Sequence, residues 1–595
     1  MSPDGVTLSL IVRELQELLI QGKVERVFQP EQHEIILNIR RPGQGYRLLL
    51  SAQAEGARVH LTEKEKKNPP SPPLFCLVLR KHLEGSRLLR IEQIALDRIL
   101  RFTFTRLEES GVSQERTLVV EIMGKHSNII LLEPKTETII DGIKRYSHAL
   151  SRYREVLPGR PYLPPPAQEK IHPLDLDEDK FRETLLKGPW GETLAELLTH
   201  HIAGIGPVLG REITVRAGLD CDLRLEYCGE HELRALWLAF QKLVPPLLRG
   251  ESRPTLIYEG NRPICCAPVP LVQYQGLRAV AQQSMNQALD QYYAARQELG
   301  RFQQLLSTLK STVKREEERC LKKISLSRQA LAEAEKAEKY RLQGEMLLAH
   351  LHQIPRGQEQ VVLPNLYDPD APPVEIELNP SLTPSQNAQQ LFRKYAKARN
   401  TLNFAKKQIA QAEEEQKYLA SIRNALDQAE TLQELDEIRT ELEEEGYLKA
   451  KNKKQVKGKG QTSKLRPQIL RFTSPDGFEI LVGKNNRQND YLTMRLAKDE
   501  DLWLHAKDTA GAHVVVKAQP GRTIPPETLE QAARLAAYFS EARHSSKVPV
   551  DYTNRKNVSK PTGARPGFVI YENYETIFVN PEEPEKAPRL SNPEG

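Results

Sequence analysis

The sequence predicts a multidomain α+β protein: an N-terminal α+β domain, a helical unit containing a helix-hairpin-helix, a long antiparallel coiled-coil hairpin and a C-terminal α+β domain. Three observations carry this reading. At 595 residues the chain exceeds what one hydrophobic core sustains. Alternating apolar runs of strand type gather towards both ends, while the centre holds two long stretches of three-and-four apolar spacing.

Residues 1–167 form the first segment. Leu8, Leu10, Ile11, Leu15, Leu18 and Leu19 line one face of a helix, and Arg13, Glu14 and Glu17 interrupt them, so the stretch is amphipathic and unlike a secretory signal. HEIILNIR from His33 and ERTLVVEIM from Glu115 alternate as strands do. Pro158, Pro161, Pro164, Pro165 and Pro166 fix an extended path and mark the boundary.

Residues 168–280 read as mainly helical. In AGIGPVLGREI, Gly204 and Gly206 flank Ile205 ahead of a helix with Pro207 in its first turn, where a missing N–H is tolerated. Such a helix-hairpin-helix turn can offer backbone N–H groups to a phosphate. It serves equally as a tight turn between packed helices.

Residues 281–445 change rhythm. Leu299, Phe302, Leu306, Leu309, Val313, Cys320 and Ile324 form a narrow stripe, and a second runs from Phe392 to Leu426. The prolines between them forbid one continuous helix, so an antiparallel hairpin with a small β tip at about 353–384 is expected. A homodimerising coiled coil is the alternative. Residues 446–468, KAKNKKQVKGKGQTSKLRP within them, have the composition of a basic linker; 469–581 return to strands with one helix, and 582–595 form a Pro- and Glu-rich tail.

Charge is uneven. From Leu448 to Asn580, 23 Lys and Arg stand against 13 Asp and Glu, against a net +6 for the whole chain. A polyanionic partner for this end follows. Lys484, Asn485, Asn486, Arg487, Asn489 and Asp490 suit turns and hydrogen bonds to phosphate or ribose, and Trp503, His505 and His513 could stack on bases. We therefore read the C-terminal domain as RNA-binding. His505 and His513 as metal ligands are disfavoured, since no cysteine lies near and neither has helical ligand spacing. The six cysteines include no CxxC pair, and no run approaches the length of a membrane span, which points to the cytoplasm without disulfide, metal or cofactor. In the first domain, Asp97 and Arg98 follow an apolar stretch, and Glu121, Lys125, His126 and Asn128 surround Gly124. These residues suit a polar binding surface and a satisfied ion-pair network equally well.

VGKNNRQND, DLWLHAKDTAGAHV, FCLVLRKHLEGSR, LDRI and EIMGKHSNIILL, in this order of units, resemble the NFACT family across nearly the whole chain. The resemblance implies a ribosome quality control factor. Its partners would be a large ribosomal subunit holding peptidyl-tRNA, a tRNA (tRNA-Ala in the bacterial branch) and the small RNA-binding elongation partner RqcP, with neither DNA nor membrane. The implied outcome is an alanine tail added without mRNA, marking the nascent chain for degradation. Asp97 and Arg98 match the family's Asp-Arg pair for tRNA engagement; Glu121, Ile122 and Met123 match a second functional triplet, with Lys125 and Asn128 beside it, and Asp4 matches an N-terminal acid. Peptide-bond chemistry would stay with ribosomal RNA, so no catalytic residue is expected.

The first domain and hairpin also resemble formamidopyrimidine-DNA glycosylases at fold level, implying a glycosylase-like domain and a second reading as a DNA glycosylase or abasic lyase. Such enzymes use an N-terminal proline amine. Here Pro3 would remain acylated behind Ser2, and no cysteine set replaces the zinc finger of those enzymes. A third reading, a fibronectin-binding surface adhesin, would need an export route.

Overall fold

The computed structural model describes residues 2–107, 113–149, 151, 153–334, 336–365, 367, 373–449 and 467–583. Contacts divide the chain into two units, Met1–Leu299 and Gly300–Gly595.

The first unit opens with α1 (Gly5–Leu19), whose apolar face is buried as its periodicity predicts. The strands β1 (Lys23–Glu31), β2 (Glu34–Arg41), β3 (Gln44–Ser51) and β4 (Arg58–Leu61) precede α2 (Leu74–Leu83). The strands β5 (Arg87–Gln93), β6 (Ile99–Leu107), β7 (Ser113–Glu121), β8 (Asn128–Glu133) and β9 (Thr138–Gly142) complete an antiparallel sheet of order β4-β3-β2-β1-β5-β6-β7-β8-β9. The period of two divides its side chains between two cores. Leu100, Phe102, Leu118, Val120 and Ile129 pack with α1 and α2, while Val119, Ile130 and Leu132 pack under Val156 and Tyr162 from the segment around the proline cluster.

Next come α3 (Glu178–Leu186), α4 (Leu194–His201), α5 (Pro207–Arg216) and α6 (Glu230–Leu248), with α4 and α5 joined through Ile202–Gly206 as the expected hairpin. The segment read as mainly helical ends otherwise. The strands β10 (Thr255–Glu259), β11 (Arg262–Ala267) and β12 (Arg278–Ala281) form a sheet of order β11-β10-β12. Their side chains are too short a run for periodicity alone to separate from helix. The first turns of α7 (Met285–Ala334) close the unit: the Glu14 carboxylate accepts from the N–H groups of Met285 (2.7 Å) and Asn286 (3.0 Å), an anion at a helix N-terminus.

In the second unit the rest of α7 is followed by α8 (Ala337–Ala349), the tip strands β13 (Gln360–Leu363) and β14 (Val374–Glu377), then α9 (Pro384–Asp427) and α10 (Leu432–Glu444). Ion pairs Lys310–Asp427 (2.6 Å), Glu317–Arg423 (2.9 Å) and Arg328–Glu413 (3.3 Å) fix α7 and α9 as antiparallel, since one number rises as the other falls. Leu309, Val313 and Cys320 of α7 share a core with Leu419, Ile422 and Leu426 of α9 and Leu435, Ile438 and Leu442 of α10.

The C-terminal part contains β15 (Leu470–Thr473), β16 (Glu479–Gly483), α11 (Asn486–Tyr491), a π turn Leu492–Leu496, β17 (Leu502–Ala506), β18 (His513–Val516), α12 (Pro526–Tyr538), β19 (Val548–Asn554), β20 (Val558–Ser559), β21 (Ile570–Tyr571) and β22 (Glu575–Val579). Its main sheet runs β15-β16-β18-β17-β19-β22, antiparallel throughout. α12 covers one face over Val482, Leu504, Val514 and Val550; Trp503, Leu481, Val515 and Val558 pack on the other. Most of the basic linker and of the tail lies outside the described residues.

Candidate functional site

Asp97 and Arg98 lie in the turn between β5 and β6, at the ends of two strands. Ala95 (φ 44°) and Leu96 (φ 58°) are consecutive non-glycine residues in the left-handed region, a conformation that costs roughly 1–2 kcal/mol each. The neighbourhood holds it. The Gln93 side-chain amide donates to the carbonyls of Gly5 (2.9 Å) and Asp97 (3.0 Å), and the Asp97 N–H donates to the Ile94 carbonyl (2.7 Å). Gly5 lies so close that an added Cβ would sit 1.9 Å from the Leu96 oxygen.

Both side chains of the pair are half-buried. Among the described residues, neither the Asp97 carboxylate nor the Arg98 guanidinium makes a side-chain hydrogen bond or ion pair. Burial raises the Asp97 carboxyl, with Lys170 and Arg98 opposing, and burial together with Arg98 lowers the Lys170 amine. Lys170 was not singled out in the sequence; only the fold brings it to the turn.

Asp4 joins this cluster through the backbone. One carboxylate oxygen caps α1 by accepting from the Thr7 N–H (2.9 Å); the other accepts from the Gly206 N–H (3.1 Å) at the start of α5. Burial raises its pKa, opposed by these hydrogen bonds and by Arg98. The expected phosphate contact is corrected at Gly206. The Gly206 N–H already has an anion, and the Gly204 carbonyl accepts from the Val6 N–H (2.9 Å). The glycines are needed for close approach: a Cβ on Gly206 would stand 2.7 Å from that of Asp4.

The second triplet is divided by burial. Glu121 is fully buried, taking both Arg154 nitrogens (2.6 and 2.5 Å) and the Tyr162 hydroxyl (2.9 Å), so it is the ion-pair network rather than an RNA contact. Ile122 is also buried, and its N–H donates to the Arg98 carbonyl (2.8 Å), tying the end of β7 to the turn. Asn128 is buried as well: its amide donates to the Lys144 carbonyl (3.0 Å) and its oxygen accepts from the Lys144 N–H (3.1 Å). Lys125 is exposed and Met123 half-buried, so these two remain available to a partner.

The C-terminal motif departs furthest from expectation. The Lys484 side chain is only 6% exposed and pairs with Glu434 at 2.6 Å. Asn485 donates to Glu437 (2.9 Å); Asn486 donates to Ser421 (2.9 Å) and Glu441 (2.9 Å). Arg487 pairs with Glu444, Asp490 with Lys560, and Asn489 donates to the Gly511 carbonyl (3.1 Å). Lys484, Asn485, Asn486 and Arg487 thus lock α11 to the helices α9 and α10, while Asn489 and Asp490 bond within the C-terminal part. Trp503 is fully buried against Tyr571 and His513, so it cannot stack on a base. His513 is buried with Nδ1 beside the Thr493 hydroxyl (2.8 Å), and burial lowers its pKa well below 6.5 and that of His505 to about 4. His513 is a neutral interior group, whereas His505 is half-buried.

Comparison with known proteins matches residues 4–461 to the NFACT N-terminal and middle domains and residues 468–573 to the NFACT protein RNA binding domain. The chain is similar to the Rqc2 homolog RqcH of Bacillus subtilis, 38% identical over 98% of each chain. The homolog of Streptococcus suis is 37% identical over 98% of this chain and 99% of its own. The archaeal Rqc2 homolog aRqcH of Methanocaldococcus jannaschii is 26% identical over 90% of this chain and 81% of its own. With both segments matched in order and identity running almost end to end, the chain belongs to the NFACT family.

Proposed function

We propose that the protein binds large ribosomal subunits carrying peptidyl-tRNA, recruits a tRNA charged with alanine and promotes mRNA-independent C-terminal alanine tailing. Relatives named as Rqc2 homologs over nearly the full length support this reading. The observation that carries the tRNA step is the β5–β6 turn. It presents a guanidinium and a carboxylate side by side, neither hydrogen-bonded among the described residues, on a backbone held in a strained conformation. Arg98 can fork onto a phosphate or base edge, and Asp97 can accept from a base amino group or ribose hydroxyl. Lys125, exposed beyond the Ile122–Arg98 tie, adds a phosphate contact. Asp4, Glu121, Ile122 and Asn128 act as positioning residues behind this surface.

Peptide-bond formation is left to the ribosome, with RqcP assisting elongation, and the setting is the cytoplasm. No helix among the described residues is long and apolar enough to cross a membrane. The test is the double substitution Asp97→Ala/Arg98→Ala. It should eliminate tail addition and enrichment of one tRNA while co-sedimentation with large subunits and the melting temperature persist. Loss of subunit binding in step with tRNA, on a destabilised protein, would refute selective contact. The glycosylase reading has its own check, incubation with abasic DNA and borohydride, which should trap no covalent adduct.

A further inference from the structure

With Trp503 and the 484–490 segment turned inward, the RNA-facing surface of the C-terminal part must lie elsewhere. Among the described residues, the face of the main sheet opposite α12 is covered over most of its width by the π turn and by β20–β21, but not at one end. There Ala506, Val550 and Ile577 stand in register across β17, β19 and β22 and point towards α12. The next residues along, Lys507, Pro549 and Phe578, therefore fall on the uncovered face: the Lys507 N–H donates to the Pro549 carbonyl (2.9 Å), and Pro549 is the register partner of Phe578. Phe578 is 67% exposed. Tyr574, 45% exposed, immediately precedes β22, with the Lys507 ammonium 4.8 Å from its ring centroid and Tyr571 edge-on at 5.2 Å.

We propose that this end of the sheet is a base-stacking platform for unpaired RNA, with Phe578 and Tyr574 as the stacking rings and exposed Arg543 and Lys547 as the phosphate contacts. The proposal rests on the RNA-binding reading above and deepens it. Two features favour RNA over a protein strand or a second copy of the chain. The rings are separated by a cation and polar groups rather than continued into an apolar patch, and an aromatic set on an open sheet face beside cations is the arrangement that holds splayed bases. The surrounding charge agrees. Exposed Arg543, His544 and Lys547 lead into β19 at this same end; the exposed carboxylates nearby are Asp508, Glu541, Glu572 and Glu575, of which Glu541 pairs with Arg423 and Glu575 accepts from the Tyr552 hydroxyl. Asp551 is only 1% exposed and is engaged by Lys507, Tyr571 and Thr576. Tyr574 and Phe578 both lie past residue 573, where the match to the RNA binding domain ends.

The test measures binding of the full chain to a labelled 12-nucleotide oligouridine and to an RNA duplex of equal length. Phe578→Ala and Tyr574→Ala should each weaken the single strand by on the order of tenfold, and the duplex little, because a duplex presents phosphates rather than open bases. Phe578→Tyr and Tyr574→Phe should restore binding. Since both rings are largely exposed, an unchanged melting temperature excludes unfolding. Unchanged single-strand affinity, or equal loss for strand and duplex, overturns the platform. So does a wild-type dimer that dissociates in Phe578→Ala while oligouridine binding holds, which would make the face a protein interface. Wild-type protein that pellets with large subunits but ignores oligouridine overturns the platform alone; one that binds neither overturns the proposed function as well.

Discussion

Replacing Glu441 by Gln should make the lock between α10 and α11 insensitive to pH. Glu441 is fully buried, accepts from the Tyr418 hydroxyl (2.9 Å) and the Asn486 amide (2.9 Å) through one oxygen, and leaves the other without a hydrogen-bond partner among the described residues. Burial raises its pKa from 4.5 to about 7, opposed by those two hydrogen bonds and by Arg487, with Asp490 adding to the rise. A folded-state pKa above the unfolded one means that the folded state holds the proton more tightly. The resulting stability is complete below about pH 4.5 and is lost as pH rises through about 7. Each pH unit corresponds to about 1.4 kcal/mol, so the full effect is on the order of 3 kcal/mol. Glutamine keeps the accepting oxygen and carries no charge. Hydrogen exchange across residues 479–491 should be slower in Glu441→Gln than in wild type at pH 8 and equal to it at pH 5. Glu441→Ala, which strands the Tyr418 and Asn486 donors, should exchange faster at both pH values, as expected for lost buried hydrogen bonds of about 1–3 kcal/mol. Wild-type protection that rises with pH, or a Gln variant indistinguishable from wild type at pH 8, would refute the reasoning.

Lys484→Ala should lower the melting temperature of the second unit, because it strands the Glu434 carboxylate in a largely buried site. A purely surface role predicts no change. Arg154→Met should destabilise the first unit by about 3–5 kcal/mol in urea unfolding by leaving Glu121 buried and unpaired. Gly5→Ala must displace Leu96 and the turn behind Asp97; tRNA binding should fall at least as far as in the double alanine variant, and normal binding would show that the strained turn is dispensable.

What the sequence made legible was whatever repeats locally. α1, the alternating strands β2 and β7, and the arms α7 and α9 announce themselves by period, because each buries one face along its own length. The tip strands were found through prolines. The turn that holds Asp97 and Arg98 was not legible for a related reason. An apolar run has no marker for a turn whose left-handed residues are Ala95 and Leu96, and the constraint comes from Gly5 and Gln93, far away in sequence. The 484–490 segment misled by composition, since Lys, Asn and Arg ordinarily face water. Its counterpart was nonetheless written some fifty residues earlier: Glu434, Glu437, Glu441 and Glu444 recur at three-and-four spacing and form one stripe of α10. A carboxylate stripe beside the apolar stripe of Leu435, Ile438 and Leu442 is the pattern of a helix that docks a polar partner.

That pairing changes where the positive charge acts. The excess of cations after residue 448 first suggested that Lys484 and Arg487 neutralise phosphates, but both are already matched by Glu434 and Glu444. Their removal should therefore leave the salt dependence of subunit binding intact, since a paired side chain displaces no counterion from RNA. The slope must come from cations that the fold leaves at the surface, such as Arg543 and Lys547 beside the aromatic end of the sheet. Arg543→Ala/Lys547→Ala should flatten the dependence of affinity on salt by nearly two phosphate contacts without altering the melting temperature. A slope unchanged by that double substitution, yet reduced by Lys484→Ala in a protein that melts normally, would return the phosphate contact to the 484–490 segment and overturn the lock.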